Sequence, residues 1–501
     1  VLIKGNSTIT AKDANSNAIT NGSGSIIIGE KIDEGVEEKP QTEPLIQGGK
    51  YGIYKNDVSG KIYFYDGTIK GTTNAVYGNV NEIEDKADIL INKVDGYEVA
   101  TLTTDIQPVA QIGENTYKTL NEAINAVEGT EETTITILRD FEIIVPQTSS
   151  TIEEGKNIVI DLNGNSITST LENTIINNGN LKITDSNTEK QGTITIDLAG
   201  SNTYVSGIVN EATGKIDIDN NITIIGKGIY SNTINNKGEI TATNTKLISN
   251  GTYTYSTSNG IKLVSNLGVL NLNNTTIKHI SGRYTYGIYN ETGTVNINGL
   301  TTQEYGTVIN TYEGEVNITG TVTREGSGCL ISLERKSNTS EGTKLNINNA
   351  TIDGGTEVNE SLITGNNGST KISNSNIIAK STIISMGWNE KNVIIENSTL
   401  KKEYAMGNVI YYNGSRNLEI KDSDVIYSCG NSDCSAIQFT TGELTISGES
   451  NITSTGGKAI ELTSTGNTSI KGKVNVEGAK YGIYNSSTGT VTLGENDSEV
   501  D

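Results

Sequence analysis

Residues 286–299 read YGIYNETGTVNING, and residues 481–495 read YGIYNSSTGTVTLGE. Both place Gly-Ile-Tyr-Asn before a short gap and an alternating stretch, and KYGIYK at residues 50–55 repeats the first half. Related segments recur about every 26 residues, within the range of about 20–50 residues that is typical of stacked repeats. The pattern therefore predicts a solenoid, in which each repeat covers the apolar face of its neighbour.

The composition favours strands and turns. The 501 residues include 56 Gly and 22 Tyr, but only 4 Pro and 1 His. Gly and Asn tolerate the left-handed backbone of tight turns, while Ile and Thr fit pleated strands. The net charge of -22 argues against a nucleic-acid partner, because phosphate binding needs clustered Lys and Arg. No apolar run is long enough to cross a bilayer, so we expect no membrane insertion.

Alternation within each repeat predicts which side chains point into the solenoid. In the quoted segment Ile288, Val295 and Ile297 are expected inside, whereas Tyr289 and Asn296 are expected outside, because successive strand residues face opposite sides. The same rule places Ile347 inside and Asn346 outside.

One turn position is filled almost always by Asn or Asp, which are the non-Gly residues best suited to a single left-handed position. We expect these residues to stack at one corner and to form a structural ladder. The predicted turn ladder comprises Asn244, Asn274, Asn349, Asn374, Asn397 and Asp422.

Three short strands per repeat and a bend carried by Asn resemble the right-handed parallel β-helix of the pectin-lyase-like superfamily, as found in repeat regions of large bacterial surface proteins. The segment YKTLNEAINAV resembles the short amphipathic helix that caps the entry of such folds, since its apolar residues share one helical face. The resemblance implies an all-β, right-handed parallel β-helix solenoid with three short strands per coil and a short amphipathic helix near residues 116–127.

A longer period is also suggested. NAITNGSGSIIIGE near the start resembles YGIYNSSTGTVTLGE near the end, and aligning Gly29 with Gly494 gives an offset of 465 residues. We therefore expect residues 1–110 to be the closing coils of a preceding repeat unit, with an acidic loop at 30–44. Residues 111–130 would be the entry segment and residues 131–501 the parallel β-helix. Chance similarity between two coils is the alternative.

Few residues suggest chemistry. The Asp217/Asp219 and Asp422/Asp424 pairs could hold a cation or act as an acid/base pair, but Asp422 already fills the turn position. The single histidine, His279, has no flanking pair of Asp and is expected at the surface. Cys429 and Cys434 could close a small disulfide. We expect no catalytic residues, no metal site and no cofactor.

Outward tyrosines are the clearest surface signal, because a tyrosine ring suits both sugars and proteins. The candidate contact residues, in one expected column, are Tyr54, Tyr230, Tyr289 and Tyr484. The alternative is that these rings merely cover the sheet.

The combined expectation is a non-enzymatic, extracellular, structural or adhesive rod at the cell surface, about 70 Å long at about 4.8 Å per coil. The chain, which starts at Val1, would be one segment of a giant tandem-repeat or fibre-forming protein. Its expected partners are other copies of itself end to end, and host or cell-envelope glycans or proteins. The alternative function is a polysaccharide-active β-helix lyase or hydrolase, or a phage tail-spike-like glycan binder.

Overall fold

The structure is a computed structural model. It describes residues 1–31, 43–55, 59–78, 80–84, 87–103, 107–143, 147–198, 205–219, 221–228, 231–250, 262–279, 286–303, 306–326, 328–334, 342–387, 392–404, 407–428, 430 and 433–494. Most of the expected acidic loop at 30–44 lies outside the described residues.

The first part of the chain is built from short strands. They are β1 (Leu2–Ile3), β2 (Thr8–Thr10), β3 (Asn17–Asn21), β4 (Ser25–Ile28), β5 (Leu45–Gln47), β6 (Tyr51–Lys55), β7 (Lys61–Phe64), β8 (Thr68–Gly71), β9 (Asn74–Tyr77), β10 (Glu82–Ile83), β11 (Asp88–Val94) and β12 (Tyr97–Thr103).

These strands form three parallel ladders, β1-β4-β7-β10, β2-β5-β8 and β3-β6-β9. A hairpin ends the second ladder, because β12 pairs antiparallel with both β8 and β11. Asp95 and Gly96 make the hairpin turn with φ of 53° and 81°, as a two-residue turn with left-handed backbone requires. This part has its own buried cluster, which includes Ile26, Ile53 and Ile69.

The remainder continues with strands and one helix among the described residues. They are β13 (Ala110–Ile112), β14 (Asn115–Tyr117), α1 (Leu120–Ala126), β15 (Glu132–Ile137), β16 (Phe141–Ile143), β17 (Ser150–Ile152), β18 (Asn157–Asp161), β19 (Ile167–Ser169), β20 (Ile175–Asn177), β21 (Asn180–Thr184), β22 (Thr193–Leu198), β23 (Val205–Asn210), β24 (Lys215–Ile218), β25 (Thr223–Gly228), β26 (Ser231–Asn236), β27 (Glu239–Thr243), β28 (Lys246–Ser249), β29 (Lys262–Asn266), β30 (Val269–His279), β31 (Tyr286–Asn290), β32 (Thr294–Gln303), β33 (Gly306–Thr311), β34 (Gly314–Arg324), β35 (Gly328–Leu333) and β36 (Thr343–Asp353).

The last coils contain β37 (Ile363–Gly365), β38 (Gly368–Ser373), β39 (Asn376–Ala379), β40 (Ile384–Met386), β41 (Asn392–Glu396), β42 (Thr399–Lys402), β43 (Ile410–Tyr412), β44 (Asn417–Lys421), β45 (Asp424–Tyr427), β46 (Ser435–Phe439), β47 (Glu443–Ser447), β48 (Asn451–Ser454), β49 (Lys458–Leu462), β50 (Asn467–Ile470), β51 (Asn475–Gly478), β52 (Tyr481–Asn485) and β53 (Val491–Leu493).

From β15 onward, this second part is a continuous parallel stack, and β13 and β14 join its edge with antiparallel pairing. Its described residues form a sheet of 27 strands and a sheet of 14 strands, and the described part of the chain makes about 17 solenoid turns. The larger sheet covers two of the three faces, because β30, β32, β34 and β36 pass through the corner between those faces without a break. The 14-stranded sheet, which carries the Gly-Ile-Tyr-Asn segments, is the third face. The expected all-β parallel solenoid is therefore confirmed.

The core follows the predicted alternation. Ile288, Val295 and Ile297 are buried, whereas Tyr289 and Asn296 are partly exposed, so their predicted orientations are confirmed. Ile288 pairs in register with Val264 of the preceding coil and Ile309 of the following one. Columns of aliphatic side chains thereby form one continuous interior.

The prediction for His279 is wrong. Its side chain is 3% exposed, because it ends β30 on the same face as Ile277 and Thr275. Strict alternation from the buried Ile277 points His279 inward.

The helix is shorter than the predicted segment near 116–127. It spans Leu120–Ala126, and Thr119 and Glu122 form a capping box at its start. Residues Asn115–Tyr117 belong instead to β14, which pairs with β13 as a hairpin. Leu120, Ala123 and Ile124 are buried against the first coils, as the apolar face predicts.

Candidate functional surfaces

The predicted turn residues all have left-handed backbone. Asn244, Asn274, Asn349, Asn374, Asn397 and Asp422 have φ between 47° and 51°. Gly299 and Gly448 occupy the same turn in other coils with φ of 88° and 70°. The turns also bond along the stack, since the amide of Asn397 donates to the carbonyl of Lys421 at 3.1 Å. The left-handed backbone of this turn therefore explains why Asn, Asp or Gly occupies the position.

The longest side-chain ladder of asparagines lies at another corner, where the third face ends. Each Nδ2 donates to Oδ1 of the next residue along the buried series, at 2.8–2.9 Å. The ladder comprises Asn177, Asn210, Asn236, Asn266 and Asn290. The same amides also donate to carbonyl oxygens at the corner, for example Asn236 to Val269 at 2.9 Å.

The sequence analysis did not predict this ladder, although the repeated motif Tyr-Gly-Ile-Tyr-Asn contains one of its residues. Asn290 is the last letter of YGIYN, and it lies two residues after the buried Ile288. Further along the stack, the position becomes apolar, and Tyr412 and Phe439 stack there with ring centroids 5.5 Å apart. One column thus changes from amide hydrogen bonding to aromatic packing.

Serines form a third ladder, one residue after the turn. Oγ of Ser398 accepts from the amide of Ser375, and Oγ of Ser423 accepts from the amide of Ser398, both at 3.1 Å. Ser450 continues the series. The hydroxyl groups of these serines therefore find partners in the neighbouring coil, as low-dielectric surroundings favour.

The candidate tyrosines fall into three clusters. Tyr289 and Tyr484 share a register column of the 14-stranded sheet, whereas Tyr54 belongs to β6 in the first part of the chain. Tyr230 lies outside the described residues.

Each described candidate has a second tyrosine three residues earlier. The ring centroids of Tyr51 and Tyr54 are 5.3 Å apart, and those of Tyr481 and Tyr484 are 5.4 Å apart. In the middle cluster, the centroids of Tyr286 and Tyr289 are 5.8 Å apart. The motif Tyr-Gly-Ile-Tyr thus makes a ring pair at each of its three occurrences.

Lysines of the preceding coil cover two of the clusters. Nζ of Lys262 lies 3.4 Å from the ring centroid of Tyr289, and Nζ of Lys458 lies 4.7 Å from that of Tyr484. Burial lowers the pKa of Lys262. Burial, followed by the neighbouring Tyr312, raises the pKa of Tyr289. In both clusters a cation therefore lies over an aromatic face, an arrangement that is electrostatically attractive.

The aspartate pairs have structural partners. Asp219 forms an ion pair with Lys182 at 3.4 Å, and burial raises the pKa of Asp217, with Glu239 adding to the shift. Asp422 accepts the amide of Glu449 at 2.9 Å, and Asp424 accepts from Asn451 at 2.8 Å. Across the described ranges, no group of three or more His, Cys, Asp or Glu is placed to hold a metal ion.

The cysteine prediction stays open. Cys434 is buried, but Cys429 lies outside the described residues. Cys329 is also buried, and burial raises the pKa of its thiol to about 12.

Two buried cations were also missed from the sequence. Arg324, 1% exposed, donates to the carbonyls of Gly354 and Gly328 at 2.8 and 2.5 Å and to Oγ of Ser381 at 3.0 Å. Lys402, 0% exposed, donates to the carbonyl of Lys380 at 3.1 Å. Burial lowers the pKa of Arg324. Both side chains satisfy the carbonyl oxygens of a corner.

An outward asparagine ladder borders a shallow groove on the larger sheet. Nδ2 of Asn296 donates to Asn271, Nδ2 of Asn317 to Asn296, and Nδ2 of Asn346 to Asn317, at 2.9–3.0 Å. The groove has a volume of about 320 Å³, and its lining also includes Thr241. Its lining residues are uncharged.

Comparisons with known proteins add no family. No family model matches the chain, and no curated protein matches its sequence. Within the described ranges, no helix has the length and apolar character of a membrane span. The fold therefore defines the class of protein, a parallel β-solenoid built of repeats.

Proposed function

We propose that this chain is an extracellular structural and adhesive rod, a segment of a giant tandem-repeat surface or fibre-forming protein. The observation that carries the proposal is the continuity of the second stack. Its third face alone contains 14 parallel strands, which at about 4.8 Å per strand correspond to about 70 Å. Such a stack holds distant points at a fixed separation, which suits a spacer that projects a binding surface.

The hydrogen-bonded ladders support rigidity in particular. Asn236 and Asn266 are both 0% exposed and connect successive coils by side chains as well as by strands. Bending the stack would separate these pairs and leave amide groups unpaired in the interior, which costs about 1–3 kcal/mol each. A rod function uses this stiffness directly.

The surface properties support an adhesive component. The net charge of -22 disfavours unspecific side-by-side association of rods, while the half-exposed tyrosines offer local contact surfaces. Tyr481 and Tyr484 are the most exposed of them, at 44% and 39%. Proposed partners are other copies of the chain end to end, and glycans or proteins of a cell envelope or host. The proposal includes no catalytic step.

Adhesion of beads coated with the full chain tests the proposal. The surfaces to compare are immobilised mucin, immobilised neutral and acidic polysaccharides, and the immobilised chain itself. We expect retention on at least one surface, weakened by Tyr481→Ala with Tyr484→Ala and unchanged by Tyr411→Ala. Retention on none of them contradicts the adhesive part.

The same preparations test the enzymatic alternative. We expect soluble polysaccharides to keep their chain length during prolonged incubation with the protein, as measured by size-exclusion chromatography. Shortened chains, with new reducing ends or unsaturated ends, would overturn the proposal in favour of a hydrolase or a lyase.

A further inference from the structure

Two tyrosine clusters join successive coils. Tyr54 and Tyr77 are register partners on β6 and β9, and their ring centroids are 5.0 Å apart with an angle of 22° between planes. Tyr289 and Tyr312 also belong to successive coils, with centroids 5.3 Å apart, although the register partner of Tyr289 is Asn310 and Tyr312 follows the end of β33. All four rings are only partly buried, so a small molecule or a radical can reach them.

The geometry points to a modification site: we propose that Tyr54 and Tyr77 form an intramolecular dityrosine cross-link on one-electron oxidation, and that Tyr289 and Tyr312 do the same. The required oxidant is a peroxide acting through a peroxidase. This inference does not depend on the adhesive function, because it rests only on ring positions.

The reaction balances as a two-electron oxidation. Each phenol loses one electron and one proton and becomes a tyrosyl radical. The ring carbons next to the two hydroxyl-bearing carbons then join in one C–C bond. Each of these carbons afterwards loses its hydrogen as a proton while the phenol oxygen regains one, so both rings become aromatic again. In total, two electrons and two protons convert one hydrogen peroxide into two waters.

The surroundings favour coupling within the chain. Tyr51 contacts both partners of the first pair, with ring centroids 5.3 Å from Tyr54 and 5.1 Å from Tyr77. A radical formed on any of these rings therefore already has a second tyrosine ring of the same chain close to it. Coupling within the chain is thus expected to be faster than coupling to another chain. The hydrogen bond between Tyr289 and Tyr312 likewise keeps the second pair together.

Such a link would act as a staple between coils. The chain has three cysteines and can therefore form at most one internal disulfide. A dityrosine between Tyr54 and Tyr77 closes a loop in the unfolded chain and lowers its entropy, as a disulfide does. Oxidation should therefore raise the midpoint of thermal unfolding.

Treatment of the full chain with horseradish peroxidase and hydrogen peroxide tests the proposal. Trypsin cleavage after Lys50, Lys55, Lys70 and Lys86 releases residues 51–55 and 71–86 as separate peptides. We expect the monomer band to show dityrosine fluorescence and to contain these two peptides joined, lighter by two hydrogens than their sum.

Matched variants assign the link. Tyr54→Phe and Tyr77→Phe should each abolish the joined peptide and reduce the gain in thermal midpoint, whereas Tyr51→Phe should retain the joined peptide. Tyr312→Phe should reduce fluorescence without affecting the first pair. Tyr117→Phe and Tyr411→Phe, which change tyrosines outside these clusters, should leave both signals intact. Absence of the joined peptide from oxidised monomer, or dityrosine found only between chains, overturns the proposal.

Discussion

Asn236 donates a hydrogen bond of 2.8 Å from its Nδ2 to Oδ1 of Asn266 in the next coil, and both side chains are completely buried. Asn266 in turn donates to Asn290 at 2.9 Å. Because one amide has both a donor and an acceptor, a column of asparagines can repeat this bond once per coil. The repeat itself therefore satisfies polar groups that a single coil would leave unpaired.

The first prediction concerns this ladder. Asn266→Ala removes the acceptor of Asn236 and the donor to Asn290, and it leaves both in the interior. We expect a loss of about 3 kcal/mol in the free energy of unfolding, because unpaired buried polar groups cost about 1–3 kcal/mol each. Urea denaturation followed by circular dichroism measures the loss.

Asn298→Ala, on the exposed side of β32, is the control and should change stability by no more than about 0.5 kcal/mol. Equal losses in both variants would contradict a special role for the ladder.

The sequence was sufficient for the fold and for the aliphatic interior. Ile288 and Ile297 could be placed inside because alternation and the recurrence of the repeat agree. The same alternation also points Asn290, His279 and Arg324 inward, yet each was missed. A polar residue at an inward position normally argues against burial. At these strand ends a buried polar side chain is tolerated because carbonyl groups of the corner and side chains of neighbouring coils supply hydrogen-bond partners. These partners come together only in the stacked structure, so the sequence of one repeat does not reveal them.

The candidate surface was only partly predictable, for a related reason. Tyr289 and Tyr484 could be aligned by their motif, but the lysine above each ring comes from another coil. Contacts of this kind depend on the register between repeats. Unequal repeat lengths hide that register in the sequence.

The second prediction concerns the turn position. Asn397 has φ of 47°, a conformation that costs most L-residues about 1–2 kcal/mol. Asn397→Ala should therefore destabilise the protein by about 1 kcal/mol, whereas Asn397→Gly should cost less, since Gly adopts this conformation without steric strain. Thermal unfolding of the two variants, beside Asn392→Ala at an exposed strand position, provides the comparison. If Gly is more damaging than Ala, left-handed backbone is not what selects Asn at this turn.

The third prediction concerns alkaline pH. Burial raises the pKa of Tyr289 above the ordinary value of 10.0, with Tyr312 as the next cause. Unfolded chains therefore release this proton at lower pH than the folded protein does. The stabilisation is fully present below pH 10 and is lost as pH rises above it. Burial also raises the pKa of Cys329 from 9.0 to about 12, so this thiol likewise makes the folded protein less stable as the pH rises.

Stability against urea between about pH 8 and pH 11 measures this loss. In wild type the urea midpoint should fall as the solution becomes alkaline. Tyr289→Phe should flatten the upper part of the fall, and Tyr411→Phe, in the same column, should follow the wild-type curve. A Tyr289→Phe curve parallel to wild type would remove Tyr289 as a cause.

The fourth prediction concerns the buried guanidinium. Arg324 donates to two carbonyls and one hydroxyl at the corner near Gly354, so Arg324→Ala leaves three acceptors without this donor and opens a cavity. We expect a loss of about 4 kcal/mol in stability, since both effects are costly in a packed interior. Hydrogen exchange should rise first in β34, β35 and β36, whose ends carry Arg324, Gly328 and the residue before Gly354, while distant coils keep their protection because repeats contact mainly their neighbours. Arg416→Ala, at an exposed position, is the matched control and should alter neither measurement. Exchange that rises uniformly along the stack would instead mean that the solenoid unfolds as one cooperative unit, and that Arg324 stabilises the whole rod through its corner.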